Sequence, residues 1–176
     1  MPIRPALALL ALAAPAFADG HDEFAGTRLA GNIVDLAGET IGSVTAVETE
    51  SGIVLITIQA TGLEPGTHGV HLHETGACDG DFASAGGHIA GDANHGLVAG
   101  GPHPGDLPNG FVGTDGELAM QAFNDRISVT ADLLDADGAA LIVHSSADDH
   151  VSQPAGAAGD RVACAILDAV PAAEEG

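Results

Sequence analysis

Between Ile41 and Asp168 the apolar residues of this chain fall in short, strand-length runs set apart by turn residues. Nowhere do they keep a helical spacing over a window of about eleven residues. Val54, Ile56, Ile58 and Ala60 alternate with Leu55, Thr57, Gln59 and Thr61, the signature of a half-buried strand. Ser51-Gly52 separates that run from a similar one over 41–50, which reads as a hairpin. The turn sequence Leu63-Glu64-Pro65-Gly66 leads into a strand over 67–74. Asp115-Gly116 joins strands over 109–114 and 117–123, and two more runs follow at 140–145 and 161–168. Short strands punctuated by turns predict an all-β chain, either a sandwich or a barrel. The sequence has five Phe, no Tyr and no Trp, so the core has to be built from Val, Ile, Leu and Ala.

The alternation breaks over 75–110, a stretch with ten glycines that also holds Cys78, His88, His95, His103 and Asp106. A structureless segment of that length inside one compact domain is a functional loop or a misreading. A second irregular stretch, 146–160, precedes the last strand. Two long loops at one end of a sheet can build a site.

Charge narrows the partners. The chain carries 25 Asp+Glu against 4 Arg and no Lys, formally −21. Nucleic acid and anionic membrane surfaces both need a cationic face, so neither is an expected partner. A mean hydropathy of +0.24 and 45% apolar residues exclude disorder as the reason for the acidity.

The N-terminus reads as a leader. Arg4 supplies a positive start, residues 5–15 are apolar, and Ala16-Phe17-Ala18 fits the small-x-small pattern of signal-peptide cleavage. A membrane anchor is the alternative, but the run over 5–18 is shorter than the roughly 20 residues a span requires. Residues 1–18 are therefore expected to be a secretory signal peptide and 19–176 the mature domain. That domain is exported (periplasmic or secreted), is not membrane-bound after cleavage, and loses one positive charge with Arg4. Cleavage there would expose Asp19-Gly20-His21, whose amine, two amides and imidazole form a candidate square-planar Cu(II) site. In an exported chain Cys78 and Cys164 are expected to pair as a disulfide, two buried thiols being the alternative.

His71-Leu72-His73 ends the strand that opens into the glycine-rich loop. Residues two apart on a strand share a face, so both imidazoles can reach one metal. An HxH pair alone is more often two surface histidines. This pair leads directly into three more His and an Asp, with His103 and Asp106 three residues apart. All-imidazole sets suit copper, and mixed imidazole–carboxylate sets suit zinc.

Gly69-Val70-His71-Leu72-His73-Glu74, Ala85-Gly86-Gly87-His88, Gly105-Asp106-Leu107-Pro108, Val143-His144 and Arg161-Val162-Ala163-Cys164 resemble copper/zinc superoxide dismutase, in the family's order. Together with the leader, they are similar to its periplasmic bacterial branch. The resemblance implies a Greek-key β-sandwich or barrel of about eight antiparallel strands with two long functional loops. It also implies one copper and one zinc per subunit, in a monomer or a homodimer. Copper would be held by His71, His73, His88 and His144, and zinc by His88, His95, His103 and Asp106, with His88 bridging. Asp148 would link a copper ligand to a zinc ligand, Arg161 would draw in the superoxide anion, and His88 would carry a proton. Cys78 and Cys164 fall at the family's disulfide positions. The chain departs from the family in having no lysine before Arg161, which weakens anion steering. His68 has the opposite strand parity to His71 and His73 and is expected to play a structural hydrogen-bonding part, while His150 is expected to be solvated. Two other readings are a non-catalytic copper carrier, which would not need Arg161, and a zinc hydrolase, which would need an open zinc position.

Overall fold

A computed structural model describes residues 27–170. The expected leader and the Asp19-Gly20-His21 segment lie outside the described residues. Ten strands run in chain order: β1 (Arg28–Asp35), β2 (Thr40–Glu48), β3 (Val54–Ala60), β4 (Gly66–His68), β5 (Val70–His73), β6 (Gly110–Val112), β7 (Leu118–Asn124), β8 (Ala140–His144), β9 (Arg161–Ile166) and β10 (Asp168–Ala169). They pair antiparallel in the order β4-β6-β7-β3-β2-β1-β9-β8-β5, and the short β10 adds to β1. β4 and β5 are two halves of one strand interrupted only at Gly69, and they occupy the two ends of that path. One half pairs with β6 and the other with β8, which closes the sheet into a barrel. The β3–β4 and β7–β8 connections skip over neighbouring strands, as in a Greek key.

Alternation sets the interior. Ile56 and Ile58 of β3 face inward at 0% exposure, opposite Ala46 and Val44 of β2. Ala122 and Leu118 of β7 lie across from Ile56 and Ala60 on the other side. The buried cluster of the barrel holds Leu, Ile, Val and Ala and no aromatic ring among the described residues. Each such Val, Leu or Ile contributes about 1.5–3 kcal/mol of burial. A smaller apolar floor lies outside the barrel wall, where Ala140 and Ile142 of β8 pack with Phe82, Ala85 and Cys164. β8 is thus buried on both faces. The glycine-rich loop rests on that floor and is anchored to β9 by the Cys78–Cys164 disulfide, Cα–Cα 5.9 Å.

The structure alters several sequence expectations. β1 carries no alternation that the sequence reading detects, because only Leu29 and Ile33 are buried apolar residues on it. The inward position between them is Gly31, where a Cβ would sit 2.2 Å from the Ile166 carbonyl oxygen. The backbones approach too closely there for a side chain. The strand expected over 67–74 is divided at Gly69, and that over 109–114 contracts to Gly110–Val112. The connection between β7 and β8 contains a five-residue wide helical turn over Val129–Leu133, with Ser128 capping the Ala131 N–H.

Candidate metal centre

Val70 and Leu72 point into the barrel core, so His71 and His73 project from its outer wall, opposite Ile142 and Ala140. The free edge of β5 is covered by the glycine-rich loop through backbone hydrogen bonds. Leu72 N–H donates to Gly105 O at 2.8 Å, Ile89 N–H to Leu72 O at 2.9 Å, and Glu74 N–H to Gly87 O at 3.0 Å. These bonds set His88 beside His73 and Asp106 beside His71. β8 ends in His144, next to β5. All of the sequence-predicted ligands converge.

The donor atoms fall into three groups, each with its atoms within 4.8 Å of one another. The first is His71, His73, His88 and His144; the second His88, His95, His103 and Asp106; the third His71, His95 and Asp148. His88 belongs to two of them, through different nitrogens.

The second nitrogen of each ring explains why. His73 Nδ1 faces Gly86 O at 3.0 Å and His144 Nδ1 faces Gly159 O at 3.3 Å, which makes both Nδ1–H donors and leaves each Nε2 as a lone pair. His71 is reversed: its Nε2–H donates to Asp148 Oδ2 at 2.8 Å, and Nδ1 is left. His71 Nδ1, His73 Nε2, His88 Nε2 and His144 Nε2 are all buried without a hydrogen-bond partner. Four converging, unsatisfied imidazole nitrogens are costly unless a cation accepts them. They fit a copper ion.

On the other side His88, His95 and His103 present Nδ1 to a single oxygen, Asp106 Oδ1, at 2.9, 3.0 and 3.2 Å. His95 Nε2 also meets a carboxylate, Asp148 Oδ1, at 3.1 Å. A neutral imidazole has one N–H and cannot donate to both, so a cation among the Nδ1 atoms resolves the conflict. Three nitrogens and one carboxylate match a closed tetrahedral zinc set.

Arg161 donates to Phe82 O and, at 2.6 Å, to Gly86 O, the carbonyl that also accepts from His73. Its guanidinium is thereby fixed next to the first donor group. His68 lies outside all three groups: it is buried, with its nitrogens facing His144 O at 2.6 Å and Glu64 O at 2.8 Å. His150, expected to be solvated, is half-buried and accepts from Asn109 Nδ2 at 3.1 Å. Asn109 was not anticipated as a site residue. Its amide accepts from Asp148 N–H at 2.8 Å and donates to Asp148 O at 2.9 Å, holding the backbone that carries the shared carboxylate. No residue spacing marks a contact across 39 positions.

Burial decides the basicity of the rings. Loss of water lowers His73 to about 2 and His144 to about 4, and it lowers His71 despite the opposing hydrogen bond to Asp148. Burial pushes Asp106 and Asp148 upward. Hydrogen bonds from His88 and Gly96 to Asp106, and from His71, His150 and His95 to Asp148, outweigh it and hold both below the usual carboxylate range. His71, His73 and His144 are thus neutral imidazoles near two ionised carboxylates, the protonation state that metal binding requires.

Residues 40–167 match the family model described as copper/zinc superoxide dismutase (SODC). A superoxide dismutase (Cu-Zn) of Caulobacter vibrioides is 41% identical over 139 residues, covering 74% of this chain and 79% of that protein. The superoxide dismutase (Cu-Zn) of Escherichia coli strain K12 is 33% identical over 178 residues, covering 93% and 98%. Among solved structures, a SOD-like protein from Bacillus subtilis superposes with a TM-score of 0.74 at 34% identity, covering 79% of this chain and 97% of that one.

Because His73 and His144 stay neutral when folded but titrate near 6.5 when unfolded, the unfolded chain binds more protons in mild acid. Stability of the metal-free protein should therefore fall as pH drops from about 6.5 toward about 4, with a slope on the order of 1 kcal/mol per pH unit. Urea unfolding of chelator-treated protein at pH 7, 6 and 5 checks this. A midpoint that does not move with pH contradicts the neutral-imidazole centre.

Proposed function

The chain belongs to the copper/zinc superoxide dismutase family, and from that premise we propose how its residues divide the work of dismutating superoxide to O₂ and H₂O₂. Copper would be held by His71 Nδ1 and by Nε2 of His73, His88 and His144, and zinc by Nδ1 of His88, His95 and His103 together with Asp106. The observation that carries this division is that four orphaned nitrogens lie on one side of His88 and a three-imidazole, one-carboxylate cluster on the other. When bound, copper would supply a one-electron redox couple and zinc would supply charge without redox chemistry.

The chain does the rest. Arg161, held by two loop carbonyls beside His73, docks the anion where the copper nitrogens converge. His88 Nε2 is the atom suited to hold a proton, because Nδ1 is committed to the Asp106 cluster. A proton carried there is adjacent to the docked anion and can be passed to it, and the second proton of H₂O₂ comes from water. Asp148 fixes the tautomer and orientation of His71 and His95 together. A copper carrier would have no use for a cation pinned at the anion's position, which favours the enzyme over that reading. The disulfide supports an oxidising compartment, and with the leader over residues 1–18 it points to the periplasm.

His88→Ala should lose zinc–copper coupling and cut the dismutation rate of the copper- and zinc-loaded protein by about 100-fold or more, whereas His68→Ala should mainly lower the melting temperature. The reverse pattern would overturn the assignment.

Charge sets the expected salt dependence. The formal charge is −21 in the full chain, more negative once Arg4 is removed, and no lysine extends the positive patch around Arg161. Asp81 lies close enough to Arg161 to interact with its charge. Local attraction reaches little beyond the Debye length of about 8–10 Å, so screening relieves more repulsion than attraction. Decay of pulse-generated superoxide at fixed pH should stay flat or accelerate as a non-coordinating salt is raised. A steep fall would show that Arg161 and the metals govern the approach.

A further inference from the structure

We infer that Gln153 is a positioning residue for the zinc half of the centre, acting through the backbone of His95; this rests on the ligand assignment above. The other proposed zinc ligands are tied into the fold by their own main chain. His88 and Asp106 bridge to β5, and His103 O accepts from Asp106 N–H at 3.2 Å. His95 differs. Among the described residues neither its N–H nor its carbonyl has a main-chain partner, although the residue is 0% exposed. Both groups are satisfied by one side chain: His95 N–H donates to Gln153 Oε1 at 2.9 Å, and Gln153 Nε2 donates to His95 O at 2.8 Å.

Gln153 is itself held, since its Nε2 also reaches Val151 O at 3.0 Å within its own loop. The neighbouring contact runs the same way, with Leu97 N–H on His150 O at 2.8 Å. The ring of His95 is set by that second loop as well. Its Nε2 meets Asp148, and Gly156 closes over the pair with φ +66°; a Cβ there would lie 1.9 Å from Asp148 Oδ1 and 2.6 Å from His95 Nε2. The partners of the backbone and of Nε2 and the lid over the ring therefore all come from 148–156, a segment that supplies none of the proposed copper or zinc ligands. Gln153 is the part that fixes where the ring starts. Without it, the buried N–H and carbonyl of His95 lose their partners, and the residue can move toward water. Nδ1 then leaves the zinc donors and Nε2 leaves Asp148, the carboxylate shared with His71.

The test uses mature protein stripped of metal and reloaded with zinc alone, titrated against a chromogenic chelator, in parallel with visible spectra of the Co(II)-loaded form. Gln153→Met keeps the length and removes both hydrogen bonds, and Gln153→Ala does so with space for water. Each should weaken zinc binding about tenfold or more and alter the Co(II) bands. Thr49→Ala, which loses a hydroxyl bond to Ile53 O in the β2–β3 turn, destabilises far from the site and should leave both readouts unchanged. If only one Gln153 variant folds, that one decides. A Gln153 variant that binds zinc like the unaltered protein while His95→Ala does not would overturn the inference and leave the ligand assignment standing. Unaltered zinc binding in His95→Ala would overturn both. Equal weakening by Thr49→Ala would reduce the effect to general destabilisation and overturn the inference alone.

Discussion

An imidazole has two nitrogens, and the centre depends on how the second one is committed. In His73 and His144 the inner nitrogen is tied to a loop carbonyl, in His71 to Asp148, and in His88 to the Asp106 cluster. Each tie selects a tautomer, and each tautomer aims one lone pair. His71 offers Nδ1 where the others offer Nε2 because its Nε2 is the atom that reaches Asp148. The direction of four lone pairs is thus written into two loop carbonyls, Gly86 and Gly159, and two carboxylates, Asp148 and Asp106.

That arrangement explains the placement of the loops. The barrel wall provides His71, His73 and His144 on adjacent strands, but their inner partners, Gly86, Gly159 and Asp148, all lie outside it. Backbone bonds along the free edge of β5, together with the Cys78–Cys164 bridge, hold the glycine-rich loop where Gly86 O can serve both His73 and Arg161. The proposed metal ligation and anion docking thus share one carbonyl, and displacing the loop would disturb both. The same burial that supplies the ties strips water from the rings and keeps them uncharged. The cost of that desolvation is offset by hydrogen bonds and, in the loaded protein, by the cations.

Much of this was legible in the sequence. Alternation marks β3, short apolar runs between turn residues mark β2, β7, β8 and β9, and the HxH pair followed by a histidine-bearing glycine-rich loop points to the centre. Other features left no trace. β1 is hidden because its central inward position is glycine, and the barrel closes through a break at Gly69 that reads as one continuous strand. Asn109 and Gln153 are invisible for a different reason: each clamps the backbone of a residue 39 or 58 positions away. Backbone contacts of that kind impose no pattern on the residues they hold. His150 is tied down by the same Asn109, 41 positions away, which no spacing marks either.

The central claim is that one imidazole, His88, faces two different metal donor sets through its two nitrogens. Anomalous diffraction from crystals of the copper- and zinc-loaded protein, recorded at both absorption edges, tests it directly. Copper is expected among His71 Nδ1 and Nε2 of His73, His88 and His144, and zinc among Nδ1 of His88, His95 and His103 and the Asp106 carboxylate. Both metals in one donor group, or a copper ion bound without His88, would contradict it.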